Sequence, residues 1–469
     1  MTDTLPSKNG SKPRRARSGS ESAVGLKKRK RTATSIGLAL VTPLVGQEFL
    51  DKYRLRDPLN RGLRYGVKSV FSALGASTRQ FKRVQGLGKP ATRLKPSGTD
   101  LFDLTPDDEQ KIIVETVGEF AEEILRPAAY DADAAATYPA GLIAKAAELG
   151  ITAINVPEDF DGIAAHRSTV TNALVAEALA YGDMGLALPI LAPGGVASAL
   201  THWGSADQQA TYLPEFTGEN VPQACVAIAE PHALFDPTAL KTTAVRTPSG
   251  YRLTGVKSLV PAAADAELFV IGAQLNGKPA LFIVESASEG LTVKADPSMG
   301  VRAAALGRVE LNNVAVPLHN RLGEDETSEA DHAQTYSEAL ALARLGWAAL
   351  AVGTSHAVLD YVIPYVKDRS AFGESVSNRQ AVAFTVANIA IELEGMRLAI
   401  YRAASRVDQD LSFNREVSIA RRLCAEHGMA IGSDGVQMLG GHGYVKDHPV
   451  ERWYRDLRAA GVMEGVLVV

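Results

Sequence analysis

Residue types that can do chemistry gather near the end of this sequence. Arg369-Ser-Ala-Phe372-Gly373 is followed by Gln380, and then by Gln437-Met-Leu-Gly440-Gly441-His-Gly443-Tyr444. Arg452-Trp-Tyr-Arg455-Asp456 and Glu464-Gly465 complete the set. An arginine fork can grip a phosphate with two parallel hydrogen bonds. Glycines let a backbone approach a ligand closely, and a carboxylate can take a proton from an activated carbon. Each piece also has a plainer reading. A glycine cluster is commonly a flexible turn, Arg455-Asp456 reads as a structural ion pair, and a lone glutamate at such a position is ordinarily just an acid. The two cysteines, Cys225 and Cys424, exclude a disulfide framework and point to a reducing compartment. No Cys/His cluster has zinc spacing, and His427, His442 and His448 lie among polar residues, so no metal is expected.

Order and spacing strengthen these weak pieces. Upstream stand Leu149-Gly150, Val156-Pro157-Glu158, Trp203-Gly204, Gln208, Tyr212-Leu213-Pro214, Glu230-Pro231 and Asp236. Taken together, the motifs resemble the acyl-CoA dehydrogenase family over about residues 101–466. The resemblance implies a flavoprotein holding FAD that desaturates an acyl-CoA thioester between its α and β carbons. Glu464 falls on the family's general base, which removes the α proton while hydride passes from the β carbon to flavin N5. Enolate charge develops on the thioester and must be met by hydrogen-bond donors, in the family a flavin ribityl hydroxyl and the base's own backbone N–H. Arg344 matches an arginine near the CoA-bearing part of the substrate site. Some relatives carry their base just before that arginine; here the residue is Ala343, which leaves Glu464 as the candidate. Arg369, Phe372 and Gln380 match residues that reach the FAD of a neighbouring subunit, and Gln437, Gly440 and Gly441 match the loop at its adenosine side. An electron-transfer flavoprotein is the implied acceptor, and a homotetramer or homodimer the implied assembly.

The middle of the chain departs from the family pattern. Ala229 stands where a hydroxyl residue usually contacts the flavin, and His232-Ala233-Leu234-Phe235 replaces a stretch with two glycines and a serine. Leu259 leads the segment that a tryptophan usually leads, and Val466 replaces the threonine after Glu464-Gly465. Each lost neutral hydrogen bond is worth about 0.5–1.5 kcal/mol. Three readings therefore stand at this point: an acyl-CoA dehydrogenase, a flavin-poor non-catalytic paralogue serving as a subunit of a mixed oligomer, and a related flavoenzyme using another acceptor such as oxygen.

The elements that must position these residues follow from periodicity. Thr105-Pro106-Asp107-Asp108 predicts an N-cap at Thr105 with proline at the first helical position. An apolar face from Val114 to Leu125 follows, with Pro127 as its stop. Helical stretches continue to about residue 217. Around Cys225 the period becomes alternating. Tyr251–Gly255 and Leu268–Ala273 read as strands, Asn276-Gly277 as a hairpin turn, and Leu291–Leu322 as further short strands. Helical period returns after about residue 332, through Val407 and again over 416–432. The expected class is α+β and acyl-CoA dehydrogenase-like: an N-terminal helical domain (100–223), a middle β domain (224–331) and a C-terminal four-helix-bundle domain (332–469).

A basic extension, residues 1–99, precedes them. It holds 22 of the 49 Lys and Arg residues and five of the 53 acids, a net of +17, so the rest of the chain carries −21. Residues 1–33 read as disordered and 34–99 as short amphipathic helices. An arm of that sign suits a peripheral contact with an anionic membrane surface; no nucleic acid partner is expected. No run of about 20 apolar residues is evident, so no bilayer span is expected, and the expected location is cytoplasmic with peripheral membrane association.

Overall fold

The computed structural model describes residues 105–469 apart from 165–167, 219, 324–327 and 372, and the side chains of 329 and 330. The expectations for residues 1–99 lie outside the described residues. Helices come first: α1 (Asp108–Phe120), α2 (Arg126–Ala135), α3 (Leu142–Glu148), α4 (Thr169–Gly182), α5 (Met184–Trp203) and α6 (Ala206–Tyr212). Strands follow: β1 (Gln223–Ala227), β2 (Thr243–Thr247), β3 (Gly250–Val260), β4 (Ala266–Leu275), β5 (Lys278–Glu285), β6 (Leu291–Ala295) and β7 (Gly307–Pro317). Helix α7 (Glu329–Asp368) then leads through the strand pair β8 (Ser370–Ala371) and β9 (Glu374–Ser375) into α8 (Gln380–Asp408) and α9 (Asn414–Leu439). Two short helices, α10 (Val450–Asp456) and α11 (Ala459–Val462), precede β10 (Gly465–Val466).

Three local expectations are corrected. The first cap is Asp107, not Thr105: its carboxylate accepts the Gln110 N–H at 2.8 Å and Gln110 returns a hydrogen bond to the Asp107 N–H. Pro127 does not stop the chain's helical course. One π turn, Ala121–Leu125, absorbs its missing N–H, and α2 begins with the proline in its first turn. Helix period also fails to run unbroken to Val407, because β8 and β9 separate α7 from α8.

The sheet runs β10-β1-β4-β2-β3-β7-β6, with β5 on the other edge of β4. Strand β4 pairs in parallel with β1 and β2 and antiparallel with β5. It is buried along most of its length, which fits the near-continuous apolar run Leu268–Ala273. Asn276 (φ +52°) and Gly277 (φ +81°) make the expected tight turn between β4 and β5. Helices α5 and α7 press on this sheet. Both are long and apolar enough, by length and composition, to cross a membrane, contrary to the sequence expectation, yet 89% and 83% of those windows are buried within the fold. They are core helices. Helix α5 keeps its course despite Pro189 and Pro193: the carbonyl of Pro189, which Pro193 cannot bond, accepts from the Gln223 side chain at 3.2 Å.

Arg455 pairs with Asp133 (2.8 Å) and Glu451 (2.9 Å) rather than with its neighbour Asp456, whose carboxylate accepts the Val301 N–H. Arg452 holds Asp183 at 2.9 Å, and Asp183 caps α5 through the Leu186 N–H. This cluster joins the N-terminal helices, the β region and α10. Burial and the Asp183 carboxylate push Asp456 up to about 8. A raised folded value means stability is full below the ordinary carboxylate range and is lost as pH rises toward 8. Urea midpoints should fall between about pH 5 and about pH 8.5. Asp456→Asn, which copies the protonated form, should flatten that slope; an unchanged slope would assign it to other groups.

Candidate functional site

Strand β10 pairs Val466 with Val226 and Gly465 with Ala227 of β1. That pairing sets Glu464 against α7, where Tyr336, Leu340, Arg344 and Trp347 recur at three- and four-residue steps on one face. Arg344 donates to Glu464 through Nε (2.9 Å to Oε2) and Nη2 (2.8 Å to Oε1), a bidentate pair. The Glu464 side chain is 9% exposed and that of Arg344 31%. Hydrogen bonding to Glu464 raises Arg344 further above its ordinary value. Trp347 Nε1 donates to the Gly465 carbonyl at 3.0 Å, and Tyr336 OH to that of Pro237 at 2.6 Å.

A second cation was missed in the sequence. Arg421 of α9 donates to the Met463 carbonyl at 2.7 Å and lies 3.6 Å from Glu464 Oε1. Burial lowers its pKa, and its Nη1 is buried without a hydrogen-bond partner. Its signal was an arginine inside the buried stripe Val417, Ala420, Cys424 and Gly428. Two guanidinium groups thus face one carboxylate.

The remaining sites lie at the other end of α7. Arg369 caps its C-terminus, and 25 residues of helix separate it from Arg344, about 38 Å. Arg369 is exposed, and its side chain has no partner among the described residues. Gln380 begins α8 and is exposed; Phe372 lies outside the described residues. Gln437 ends α9 exposed, and Gly440 (φ +59°, ψ −133°) turns the chain in a conformation favouring glycine. A Cβ on Gly440 or Gly441 would meet nothing within 4 Å, whereas one on Gly443 would strike the Val436 carbonyl. Tyr365 bonds His442 Nδ1 (2.8 Å), which ties this loop to the end of α7 that carries Arg369. This end of α7 therefore carries an exposed arginine and an open glycine turn. About 38 Å of α7 separates this group of residues from Glu464 and Arg344.

The β-region departures keep a shared backbone habit. Leu234, Leu259 and Val466 have φ of +55°, +57° and +72°. For a β-branched residue such as Val466 this is a strained state, costing on the order of 1–3 kcal/mol. Ala229 is buried, and its carbonyl takes the Ser258 N–H at 2.9 Å. The Ser258 hydroxyl and the Leu259 N–H both go to Asp296. Below them Glu230 is buried with Lys257 (2.9 Å) and accepts the N–H groups of Lys241 and Thr242, so this acid is structural. Burial pushes Lys257 down to about 8.

Three family models match the chain: acyl-CoA dehydrogenase N-terminal domain at residues 107–219, middle domain at 225–314 and C-terminal domain at 334–467. The short-chain specific acyl-CoA dehydrogenase of Mus musculus mitochondria is 30% identical over 76% of this chain and 87% of its own. An acyl-CoA dehydrogenase of Bacillus subtilis is 29% identical over 76% and 94%. Among solved structures, butyryl-CoA dehydrogenase from Megasphaera elsdenii superposes with a TM-score of 0.71 at 26% identity, covering 77% of this chain and 95% of that one.

Removing Arg344 leaves a buried carboxylate with a single, more distant cation. Arg344→Met should cost about 1.5–3 kcal/mol in urea unfolding. A loss below about 0.5 kcal/mol would mean that the pair adds no net stability.

Proposed function

Because the chain belongs to the acyl-CoA dehydrogenase family, we propose that it desaturates an acyl-CoA thioester with Glu464 as the base that removes the α proton. Membership makes it an oxidoreductase acting on CH–CH bonds, with FAD as its cofactor. Bound FAD supplies the acceptor for the hydride that leaves the β carbon. The observation that carries the reading is the buried carboxylate of Glu464, fixed by β10 at the meeting of α7, α9 and the sheet.

Both Glu464 oxygens are engaged by Arg344. An anionic group of the CoA moiety arriving at Arg344 would compete with Glu464 for its guanidinium. Arg421 stays beside the carboxylate while the α proton moves. Arg369, Phe372, Gln380, Gln437, Gly440 and Gly441 are proposed to hold the phosphates and adenosine of FAD on a neighbouring subunit. The separation of about 38 Å along α7 supports this, since one copy cannot apply both half-sites to one cofactor. A homo-oligomer, dimer or tetramer, is proposed with it, and an electron-transfer flavoprotein is the proposed acceptor.

The purified protein should show visible flavin bands that bleach on addition of an acyl-CoA thioester without acceptor. Glu464→Gln should slow the bleaching by about 10²–10⁴-fold while the bands remain. A protein that stays colourless when FAD is added would instead favour the non-catalytic paralogue. Arg369→Gln should reduce retained FAD without changing the environment of Glu464.

For residues 1–99 we propose attachment to an anionic membrane surface from a cytoplasmic location; the supporting observation is their net +17. Deleting them should abolish binding to phosphatidylserine vesicles at low salt. Binding that persists unchanged would rule the arm out as the anchor.

A further inference from the structure

We infer that the segment Val466–Val469 is the floor of the acyl pocket and restricts this enzyme to short acyl chains. The inference rests on Glu464 being the base. A reacting α carbon must lie against the Glu464 carboxylate, so the carbons beyond the β position run into whatever apolar space adjoins it. In this chain the segment that begins two residues later is buried against α5 and α7. Val466, Leu467, Val468 and Val469 are 2%, 2%, 1% and 5% exposed. They lie between α5 and α7, which are shaped to receive them.

Each helix carries a glycine in its interior at the contact. A Cβ on Gly195 of α5 would collide with the Val466 carbonyl and stand 3.1 Å from the Val468 N. A Cβ on Gly346 of α7 would stand 2.8 Å from Leu467 Cβ and 3.1 Å from Val469 Cγ1. Glycine inside a helix is destabilising unless something requires it; here the segment requires it on both sides. The left-handed φ of Val466 turns the chain into the groove directly after the base. Leu467 and Val469 therefore point at the same helix that carries Arg344. They are the specificity-determining residues: a longer acyl chain must displace well-packed side chains, whereas a short one ends before reaching them.

The test is calorimetric binding of acetyl-, butyryl-, hexanoyl- and octanoyl-CoA to the FAD-loaded full-length protein, which needs no turnover. In an open apolar channel each added methylene would tighten binding about fourfold. The wild type should gain to butyryl-CoA and then level off or weaken. The Leu467→Ala/Val469→Ala variant, checked for a cooperative melt, should resume a gain of about fourfold per methylene toward hexanoyl-CoA. A wild-type affinity that keeps rising to octanoyl-CoA overturns the assignment of the floor, whatever the variant does. A folded variant whose length profile matches the wild type overturns it as well. Failure of every thioester to bind both proteins would instead overturn the reading of this site as an acyl-CoA site, an outcome distinct from a rising profile.

Discussion

Two residue pairs, Val226 with Val466 and Ala227 with Gly465, hold the site together. A two-residue strand is weak by itself, and its stability comes from burial on both faces. The requirement is severe at Gly465, where φ is +79° and a Cβ would stand 2.6 Å from the Val226 carbonyl. Because the strand is pinned there, the preceding glutamate cannot swing to solvent. It meets Arg344 instead, and Trp347 closes the contact from the same helix face. The chemistry depends on a backbone register more than on any single side chain.

A buried carboxylate of this kind would be costly alone, and desolvation of an ion pair consumes much of its attraction. The molecule spends charge in several such places. Arg452, Arg455, Asp133, Asp183 and Asp456 tie the helical and strand regions to one another, and Lys257 with Glu230 fixes the segment leading out of β1. Ion pairs of this sort add modest net stability, but their directional bonds define how the regions dock. Around Glu464 the balance differs. Two arginines face one acid, and one guanidinium nitrogen of Arg421 is buried without a hydrogen-bond partner.

The departures in the β region separate side-chain identity from backbone shape. Leu234 stands in the stretch where the family has glycines and still adopts φ of +55°; Val466 replaces a threonine and adopts +72°. The fold tolerates these strained positions because neighbours over-determine them. What changes is the lining. Hydroxyl groups are replaced by apolar surface, and the donors that remain near Ala229, those of Ser258 and Leu259, are turned toward Ala229 and Asp296.

The sequence by itself determined the family, the helix–strand–helix order and the turn at Asn276-Gly277, because motifs and periodicity are local and need no partner to be read. It also singled out Glu464 and Arg344, though as separate residues with separate roles. Only the tertiary structure decided that these two are bonded to each other, 120 residues apart, and that Arg421 joins them. Arg421 was illegible because one arginine on a buried stripe looks like any helical arginine until the facing carboxylate is placed. The partners of Arg455 were misjudged for the same reason: adjacency along a helix does not make side chains face, whereas Asp133 does so across the fold. The burial of Val466–Val469 between two helical glycines was likewise beyond the sequence, since a glycine's reason for being in a helix lies in whatever packs against it.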